Sequence, residues 1–329
     1  MTLVNAETMH NLTIIAVSTD SHDLLDRAQR VAPTEANLLI SGETGTGKDL
    51  LARWIHEHSA RKDGPYVKID CGSLPESLLE AELFGYERGA FTGAGTSKPG
   101  RFEAAQGGTL VLDEVAGLTL PAQAKLLRVI EERRFTRLGG RQSVTIDARL
   151  ISLSNVNLFD SVAHKTFRAD LFHRLNVIPL EITPLRERPN DIPALVDYFL
   201  DNICRRHGKE RCELSPDTLS CLRGYDLPGN ARELFHILER AVLISREKQL
   251  LPNTLPPHLT SSTALMQRKD QKPTLAQLEA VYIREILTLT HGQKSRAAEI
   301  LGISRKNLYE KMRTYGLPYN RKNQPEDGK

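Results

Sequence analysis

The sequence predicts an α/β fold with a parallel sheet, then a helical region, then a small all-α module at the C-terminus. Up to about residue 185, short apolar strands alternate with helical patterns. This alternation is typical of a parallel sheet that is covered by helices on both faces. From about residue 190 the strand patterns stop and only helical patterns follow. These two observations support the predicted class.

The strands and helices of the first region are predicted from the spacing of apolar residues. Strands are predicted at residues 37–41, 66–70, 107–114 and 148–155. One helix is predicted from the 3.6-residue spacing of Leu50, Leu51, Trp54, Ile55 and His58. A second helix is predicted from Leu74, Leu78, Leu79 and Leu83, and a third at residues 123–132.

The remainder of the chain is predicted to be helical, with one interruption. Helices are predicted at residues 192–206, 216–224 and 231–246, and in a last module at 274–318. Residues 250–273 contain four prolines and several Ser and Thr residues, which is typical of a linker. The predicted segments are an N-terminal extension (1–13), an α/β subdomain (14–185), a helical subdomain (186–249), a linker (250–273) and a C-terminal domain (274–329).

Charge is distributed unevenly along the 329 residues, whose net charge is +3. Residues 268–329 contain 13 Lys and Arg against 7 Asp and Glu, whereas the rest contains 31 against 34. A basic module on a slightly acidic body favours nucleic-acid binding, with a solvated basic surface as the alternative. No apolar run approaches the roughly 18–20 residues of a membrane span. The absence of a signal-peptide pattern predicts a cytoplasmic protein, and four cysteines without a CxxC pair argue against a zinc site.

A phosphate-binding loop is predicted where the first strand meets its helix. The GxxxxGK pattern is formed by Gly42, Glu43, Thr44, Gly45, Thr46, Gly47 and Lys48. Its glycines let backbone N–H groups point at phosphate oxygens, and the helix that follows adds its positive end. Lys48 is predicted to reach the β- and γ-phosphates of ATP. Asp49 replaces the usual Ser or Thr, so that Mg²⁺ ligand is missing.

Two acids end the apolar strand at residues 107–114. At this spacing from a phosphate-binding loop, Asp113 is predicted to hold Mg²⁺, directly or through water. Glu114 is predicted to orient or deprotonate the attacking water. Asn155, at the end of the next strand, is a candidate sensor of the γ-phosphate, with a turn cap as the alternative.

Three arginines are candidates for contact with phosphate. Arg168 and Arg174 lie six residues apart, and an arginine directed at a neighbouring subunit's nucleotide stabilises transition-state charge. An ion pair with Asp170 within the chain is the alternative. Arg232 lies at the start of a predicted helix, from which it can also reach phosphate.

A hexapeptide of small residues around a phenylalanine is the most informative segment for function. It consists of Gly89, Ala90, Phe91, Thr92, Gly93 and Ala94. The two glycines suit a tight turn. A Phe at the tip of such a turn needs apolar cover from a partner, or it folds back into the core of its own hairpin.

A helix–turn–helix is predicted at residues 295–311. Its first helix packs through Ala297, Ala298 and Leu301, Gly302 makes the turn, and Leu308 and Met312 bury the second helix. The candidate DNA-binding residues at the second helix are Ser304, Arg305, Lys306, Asn307, Tyr309 and Lys311. An ordinary αα-hairpin is the alternative. The expected two-fold dimer has four candidate contact residues: Leu275, Leu278, Val281 and Ile286.

Taken together, these motifs resemble the sigma-54-dependent transcription activators, which are bacterial enhancer-binding proteins of the AAA+ ATPase superfamily. The resemblance covers about residues 14–317 and depends on the order and spacing of six segments: 42–48, 82–94, 107–114, 167–171, 184–188 and 227–234. It implies an AAA+ P-loop sheet with a helical subdomain and a Fis-type helix–turn–helix. It also implies that the hexapeptide contacts sigma-54, and that ATP hydrolysis in a ring, usually a hexamer, moves this loop and opens promoter DNA.

The resemblance implies roles for single residues as well. Lys48 binds phosphate, Asp113 and Glu114 serve Mg²⁺ and water, and Asn155 is the first sensor. Residues 168 and 174 fall at the trans-acting arginines, with Arg174 preferred as the finger, and Arg232 resembles the second sensor. Asp49 stands in place of a common Glu, with little expected consequence.

Asp70 departs from the family pattern, which often has an Asn here that restrains the catalytic Glu. An ionised Asp cannot donate a hydrogen bond from its side chain, so the restraint is expected to differ in this chain.

The implied partners are sigma-54 RNA polymerase holoenzyme, enhancer DNA and further copies of the chain, from dimer to hexamer. Only about thirty residues precede the ATPase core, whereas most members of the family have an N-terminal regulatory domain. Control is therefore expected in trans, by an inhibitor, a co-activator or expression level. The alternatives are a DNA-binding repressor or co-regulator with a weak ATPase, and an AAA+ remodeller that acts on another substrate.

Overall fold

A computed structural model describes residues 13–91, 94–245, 247–260, 274–290 and 292–317. Within it the chain forms two compact units. The first contains residues up to 195 together with 228–233, and the second contains 196–227 and the residues from 234 onward. The predicted N-terminal extension falls almost wholly outside the described residues.

The described residues form eleven strands, of which the four predicted ones lie within a residue or two of their predicted positions. They are β1 (Leu38–Ser41), β2 (Tyr66–Asp70), β3 (Gly85–Tyr86), β4 (Lys98–Pro99), β5 (Thr109–Asp113), β6 (Arg134–Thr136), β7 (Ser143–Thr145), β8 (Arg149–Ser154), β9 (Ile178–Glu181), β10 (Glu213–Leu214) and β11 (Gln249–Leu250). Strands β3, β4, β6, β7, β10 and β11 were not predicted, because two or three residues give no readable period. The four-residue strand β9 was not predicted either.

The helices follow in chain order. They are α1 (Thr19–Val31), α2 (Lys48–Glu57), α3 (Glu76–Phe84), α4 (Arg101–Ala104), α5 (Leu120–Glu132), α6 (Leu158–Ala163), α7 (Ala169–Leu175), α8 (Ile192–Arg206), α9 (Pro216–Arg223), α10 (Asn230–Ile244), α11 (Pro257–Thr260), α12 (Leu275–Leu289), α13 (Lys294–Ile300) and α14 (Arg305–Thr314). Among the described helices, none is long and apolar enough to cross a membrane.

The first unit is built on a five-stranded parallel sheet in the order β2-β5-β8-β1-β9. Successive side chains of a strand point to opposite faces, and both faces are covered. Leu39, Leu110 and Leu112 pack in a core with α3, α5 and α7. Ile40 and Val111 pack in the opposite core with α1 and α2. The predicted α/β class is therefore confirmed.

The buried face of α2 agrees with the predicted one at Leu51 and Ile55 and differs from it at His56 and His58. The buried side chains of this helix are Leu51, Ala52, Ile55 and His56. His58 lies beyond the last helical residue, is exposed, and stacks on Trp54 with 3.9 Å between ring centroids. His56 takes the inner position because its Nδ1 lies 2.9 Å from Thr109 Oγ1, which satisfies a buried polar atom. Apolar spacing alone cannot identify a buried histidine.

In the second unit, ordered structure continues past the predicted boundary at residue 249. β11 pairs with β10, and Leu250, Leu255 and Leu259 are buried. Four prolines made this segment resemble a linker, but Pro252 and Pro257 begin a 3-10 turn and α11. Residues 261–273 of the predicted linker lie outside the described residues.

The C-terminal module is a three-helix domain with its own core. Ala297, Ala298, Leu308 and Met312 are buried in it, as predicted. Gly302 has a φ of 66° and makes the turn between α13 and α14. Ile286, predicted as a dimer contact, is instead buried in this core at 7% exposure.

Candidate functional site

The predicted phosphate-binding loop joins β1 to α2. Gly45 and Gly47 have φ angles of 80° and 106°, a conformation that side chains disfavour. A Cβ on Gly45 would lie 2.2 Å from the carbonyl oxygen of Gly229. Gly47 precedes α2 without a side-chain cap. The first N–H groups of α2 are thus not capped by that residue, which suits an anion.

Lys48 lies on this loop. Its Nζ donates hydrogen bonds to the carbonyl oxygens of Gly42 (2.6 Å) and Glu43 (3.0 Å). Burial lowers the pKa of the ammonium, and the carboxylates of Asp113 and Glu114 oppose that shift. The predicted phosphate ligand is therefore within electrostatic reach of both predicted acids.

The two acids differ in conformation. Asp113 ends β5, and its Oδ1 accepts the backbone N–H of Glu114 at 3.0 Å. Its Oδ2 lies 2.9 Å from the Nζ of Lys68, on the neighbouring strand β2. Glu114 has φ 51° and ψ 47°. The left-handed region costs a non-glycine residue about 1–2 kcal/mol, and such strain is concentrated at functional sites.

Asp70 shapes the turn after β2. Its Oδ1 accepts the backbone N–H groups of Gly72 (2.9 Å) and Ser73 (3.1 Å). A Cβ on Gly72 would lie 2.7 Å from Glu114 Oε2 and 3.6 Å from Asp70 Oδ1. Asp70 therefore acts as an acceptor that folds the turn, and Gly72 makes room there for the Glu114 carboxylate.

The sheet brings the nucleotide motifs to one edge. Strand β8 lies between β5 and β1, and the N–H of Gly42 donates to the carbonyl oxygen of Ser154 at 3.2 Å. Asn155 follows this residue directly and is exposed. The turn cap is Asn157, which accepts from Phe159 N at 2.9 Å. The predicted sensor thus lies at the edge that bears the loop and the Asp113–Glu114 pair.

Glu43, the second residue of the phosphate-binding loop, is held by ion-pair and hydrogen-bond partners. Its carboxylate lies 2.7 Å from the Arg186 guanidinium and accepts from Asn230 Nδ2 at 3.1 Å. The hydrogen bond from Arg186 is the main cause that lowers the pKa of Glu43. Asn230 also donates to the carbonyl oxygen of Thr44 at 3.1 Å. These partners hold Glu43 in place, so it helps to position the loop.

Arg232 is held next to the same loop. Its Cβ would lie 3.1 Å from a Cβ on Gly45, and its charge contributes to the lowered pKa of Lys48. The structure therefore places the predicted second sensor beside the phosphate-binding loop.

The other two arginines are paired within the chain. Arg168 binds Asp170 through two hydrogen bonds, of 2.7 and 3.0 Å, which is the alternative that the sequence left open. Arg174, on α7, lies 3.1 Å from Glu131 on α5. The Arg174 side chain is 60% exposed and that of Arg168 is 41% exposed. Arg174 thus remains the more accessible to a second copy of the chain.

The donor set fits Mg²⁺ held partly by a nucleotide. Among the described residues, no group of three or more His, Cys, Asp or Glu side chains forms a metal site. Mg²⁺ in nucleotide sites commonly uses one or two carboxylates together with phosphates and water. Asp113, which ends β5 here, stays the predicted ligand.

The hexapeptide lies in a loop with a narrow base. β3 and β4 pair antiparallel, and the N–H of Gly89 donates to the carbonyl oxygen of Ala94 at 2.9 Å. Phe91 is 43% exposed and packs edge-on against Tyr86, with ring centroids 5.0 Å apart. The ring therefore has partial cover from its own hairpin and keeps a large free surface. Thr92 and Gly93 lie outside the described residues.

A second loop, between β6 and β7, supports the first. Arg137 binds Glu103 through two hydrogen bonds, of 2.6 and 2.9 Å, and Glu87 through one of 3.0 Å. Glu87 precedes the hexapeptide and Glu103 follows it. A Cβ on Gly139 would lie 2.9 Å from the Cβ of Ala90, so only a glycine allows this approach. Arg137 thus clamps both sides of the hexapeptide loop.

We expect Arg137→Met to destabilise this region by about 2 kcal/mol, because partly buried hydrogen bonds to charged groups are lost. Amide hydrogen exchange in residues 85–91 should become faster. Arg134→Met is the matched control, since Arg134 is 62% exposed and pairs with Glu132 at the surface. Equal effects of the two substitutions would contradict the clamp.

Apart from Tyr309, which is half-buried, the candidate DNA-binding residues divide into two groups. Ser304 caps α14 by accepting from Asn307 N at 3.2 Å, and Arg305, Lys306 and Asn307 are exposed. Lys311 is bound to Glu279 on α12 at 2.6 Å, and this hydrogen bond raises the pKa of Lys311. The first group is free to meet a nucleic acid, whereas Lys311 has a structural partner.

Four residues at these sites were not predicted: Lys68, Arg137, Arg186 and Asn230. Arg186 and Asn230 lie in segments that the sequence had singled out, but their contacts with Glu43 depend on chain folding. Lys68 lies two residues before Asp70 in β2, hence on the same face of the strand. That spacing was the one available signal.

Comparison with known proteins agrees with this geometry. Residues 14–181 match the family model "Sigma-54 interaction domain", residues 186–272 match "AAA+ ATPase lid domain", and residues 274–315 match "Bacterial regulatory protein, Fis family". The Regulatory protein AtoC of Escherichia coli is 42% identical over 303 residues, which cover 90% of this chain and 66% of AtoC.

Further relatives extend the match. The Nitrogen fixation protein VnfA of Azotobacter vinelandii is 43% identical over 309 residues, which are 93% of this chain and 59% of VnfA. The chain thus spans about three-fifths to two-thirds of the length of these two relatives. A crystal structure of NtrX from Brucella abortus in complex with ATP is similar, with a TM-score of 0.72, 33% identity, and coverage of 93% of this chain and 70% of NtrX. The chain therefore belongs to the sigma-54-dependent transcriptional activators and combines a sigma-54 interaction domain, an AAA+ lid and a Fis-type helix–turn–helix.

Proposed function

We propose that this chain is an ATP-driven activator of sigma-54 RNA polymerase that works in the cytoplasm as a homo-oligomer bound to enhancer DNA. ATP hydrolysis moves the hexapeptide loop against sigma-54 and remodels the closed promoter complex. One observation supports this most strongly. The first compact unit carries both the phosphate-binding loop with the Asp113–Glu114 pair and the hexapeptide loop, which exposes Phe91 and is held by Arg137.

The residues of the edge divide the work of hydrolysis. Lys48 and the N–H groups at the start of α2 would hold the phosphates. Asp113 would hold Mg²⁺, which supplies charge neutralisation when bound. Glu114, strained and facing Gly72, would take the proton from the attacking water. Asn155 and Arg232 would register whether the γ-phosphate is present.

Assembly would complete the site. An arginine from a neighbouring subunit stabilises the charge that develops during phosphoryl transfer, and Arg174 is the more exposed of the two candidates. To reach a neighbour's nucleotide, it must leave its surface ion pair with Glu131. Surface pairs contribute only about 0–1 kcal/mol, so that exchange costs little.

DNA binding would use the three-helix module as a two-fold dimer. The exposed N-terminal part of α14 offers Arg305 and Asn307 for base edges and Lys306 for phosphate. Leu275, at 86% exposure, begins α12 and remains a candidate for the dimer contact.

Open-complex formation on a sigma-54 promoter with ATP tests the proposal. We expect wild-type protein to open the promoter and Lys48→Ala to be inactive. Phe91→Ala and Thr92→Ala should retain ATPase activity within about twofold and open the promoter at least tenfold less. Loss of Phe91 removes an aromatic anchor of the kind that dominates interfaces, and Thr92 is its neighbour in the hexapeptide. Phe159→Ala is the control, because Phe159 is 66% exposed but lies on α6.

Each outcome has a distinct meaning. Normal promoter opening by Phe91→Ala and Thr92→Ala would overturn the role of the loop. Enhancer binding without ATP-dependent opening by the wild type would favour the repressor or co-regulator. ATPase activity with no effect on a sigma-54 promoter would favour a remodeller with another substrate.

A further inference from the structure

A lysine that the sequence did not single out lies among the acids of the nucleotide edge. The Lys68 ammonium is 2.9 Å from Asp49 Oδ1 and 2.9 Å from Asp113 Oδ2. Asp49 is the second residue of α2, and Asp113 ends β5. The lysine thus bridges the phosphate-binding helix and the carboxylate predicted to hold the metal.

Both oxygens of Asp113 are engaged by this arrangement. Oδ1 accepts the Glu114 N–H at 3.0 Å and Oδ2 accepts from Lys68. A carboxylate oxygen has a second lone pair, so a metal or its water can still approach Oδ2. A divalent cation that does so must come within a few ångströms of the ammonium, and like charges at that separation repel strongly near a protein surface.

Asp49 changes how this repulsion is resolved. The Lys68 ammonium is paired with Asp49 as well as with Asp113. It can therefore stay paired with Asp49 when a metal binds Asp113. Asp49 stands where a Ser or Thr is usual, and Lys68 balances its negative charge. The side chain of Lys68 is 35% exposed and that of Asp49 is 58% exposed.

We propose that Lys68 is a positioning residue of the metal site: it holds Asp113 while no metal is bound, transfers to Asp49 when metal binds, and sets the divalent-metal concentration that the site requires. This inference rests on the proposed ATPase function. It concerns a step that precedes hydrolysis, so it is measurable without turnover.

The test is a titration with Mn²⁺, followed by electron paramagnetic resonance, of the full-length chain mixed with equimolar ADP. Lys68→Met removes the charge and keeps the stem. We expect its half-saturating Mn²⁺ concentration to fall by about tenfold or more, because even an attenuated repulsion between these charges gives that factor. Lys68→Arg retains the charge and should stay within about threefold of wild type.

The partner residue gives a matched second arm. Asp49→Asn leaves Lys68 with Asp113 alone, so the Mn²⁺ requirement should rise by about tenfold. If Asp49 acts through Lys68, adding Asp49→Asn to Lys68→Met should leave the low Mn²⁺ requirement of Lys68→Met within about threefold, which is a departure from additivity. Lys62→Met, on the exposed turn after α2, controls for general loss of positive charge and should leave the requirement unchanged.

Two results would overturn the inference. One is an unchanged or higher Mn²⁺ requirement for Lys68→Met in folded protein, as judged by an unchanged circular dichroism spectrum. The other is a double variant in which Asp49→Asn still raises the Mn²⁺ requirement about tenfold above that of Lys68→Met, which would show that Asp49 does not act through Lys68. If the wild type itself forms no ternary complex with Mn²⁺ and ADP, the proposed ATPase function fails first, which separates the two failures.

Discussion

Replacing Glu114 with Gln is expected to preserve nucleotide binding and to slow ATP hydrolysis by about 10²–10³-fold. The amide keeps the size of the side chain but cannot accept a proton from water, and a positioned general base contributes roughly 10²–10⁴-fold. The left-handed backbone at Glu114 and the space left by Gly72 both serve to place this carboxylate. The measurement is phosphate release at saturating ATP, beside binding of a fluorescent ADP analogue.

Glu76→Gln provides the control for this experiment. Glu76 begins α3 and accepts from Thr119 Oγ1 at 2.7 Å, so it should leave hydrolysis within about twofold. Hydrolysis by Glu114→Gln at the wild-type rate would show that another group deprotonates the water. Loss of nucleotide binding by that variant would show that the carboxylate supports the loop instead.

The largest expected loss of stability follows removal of Asp191, which is fully buried. Its Oδ1 accepts the N–H groups of Val17 (2.9 Å) and Ser18 (2.6 Å), and its Oδ2 accepts from Ser21 Oγ at 2.5 Å. Arg188 lies 3.4 Å away and also donates to the carbonyl oxygen of Thr46. One carboxylate thus joins the start of α1 to the phosphate-binding loop.

We expect Asp191→Ala to lower the free energy of unfolding by about 3–5 kcal/mol, because it leaves a buried guanidinium and two N–H groups without their acceptor. The midpoint temperature should fall by about 10 °C, as measured by circular dichroism. Asp147→Ala is the control. Asp147 is 63% exposed and pairs with Arg61, so its loss should cost less than about 1 kcal/mol. Similar losses for the two variants would contradict the assigned role.

Local patterns were sufficient for four of the five strands of the sheet, and β9 was missed. Short apolar strands that alternate with helices admit few arrangements. The phosphate-binding loop was equally readable, because its glycines are required by backbone geometry. The core of the helix–turn–helix was predicted from Ala297, Ala298 and Met312, because small and apolar residues at helical spacing define one packed face.

What could not be predicted depends on contacts between distant residues. His56 is buried because Thr109 satisfies it, and Ile286 is buried because α13 and α14 pack on it. The contacts of Asp191 and Arg188 could not be read from the sequence, although Arg188 lies in segment 184–188, since their partners lie about 140 to 170 residues away. The roles of Arg174, Asn155 and the hexapeptide remain predictions, because each involves a ligand, a neighbouring subunit or a partner protein.

The clamp at Arg137 has a consequence for the thermodynamics of partner recognition. Ordering one residue's backbone costs roughly 1–2 kcal/mol of conformational entropy. When a binding loop is not preorganised, this cost for each ordered residue weakens the net free energy of binding. Here the chain on both sides of the tip is tied down by Glu87, Glu103 and the β3–β4 pairing. A partner that binds the tip would meet these flanks already ordered, so less of the contact free energy would be offset by the ordering of the loop.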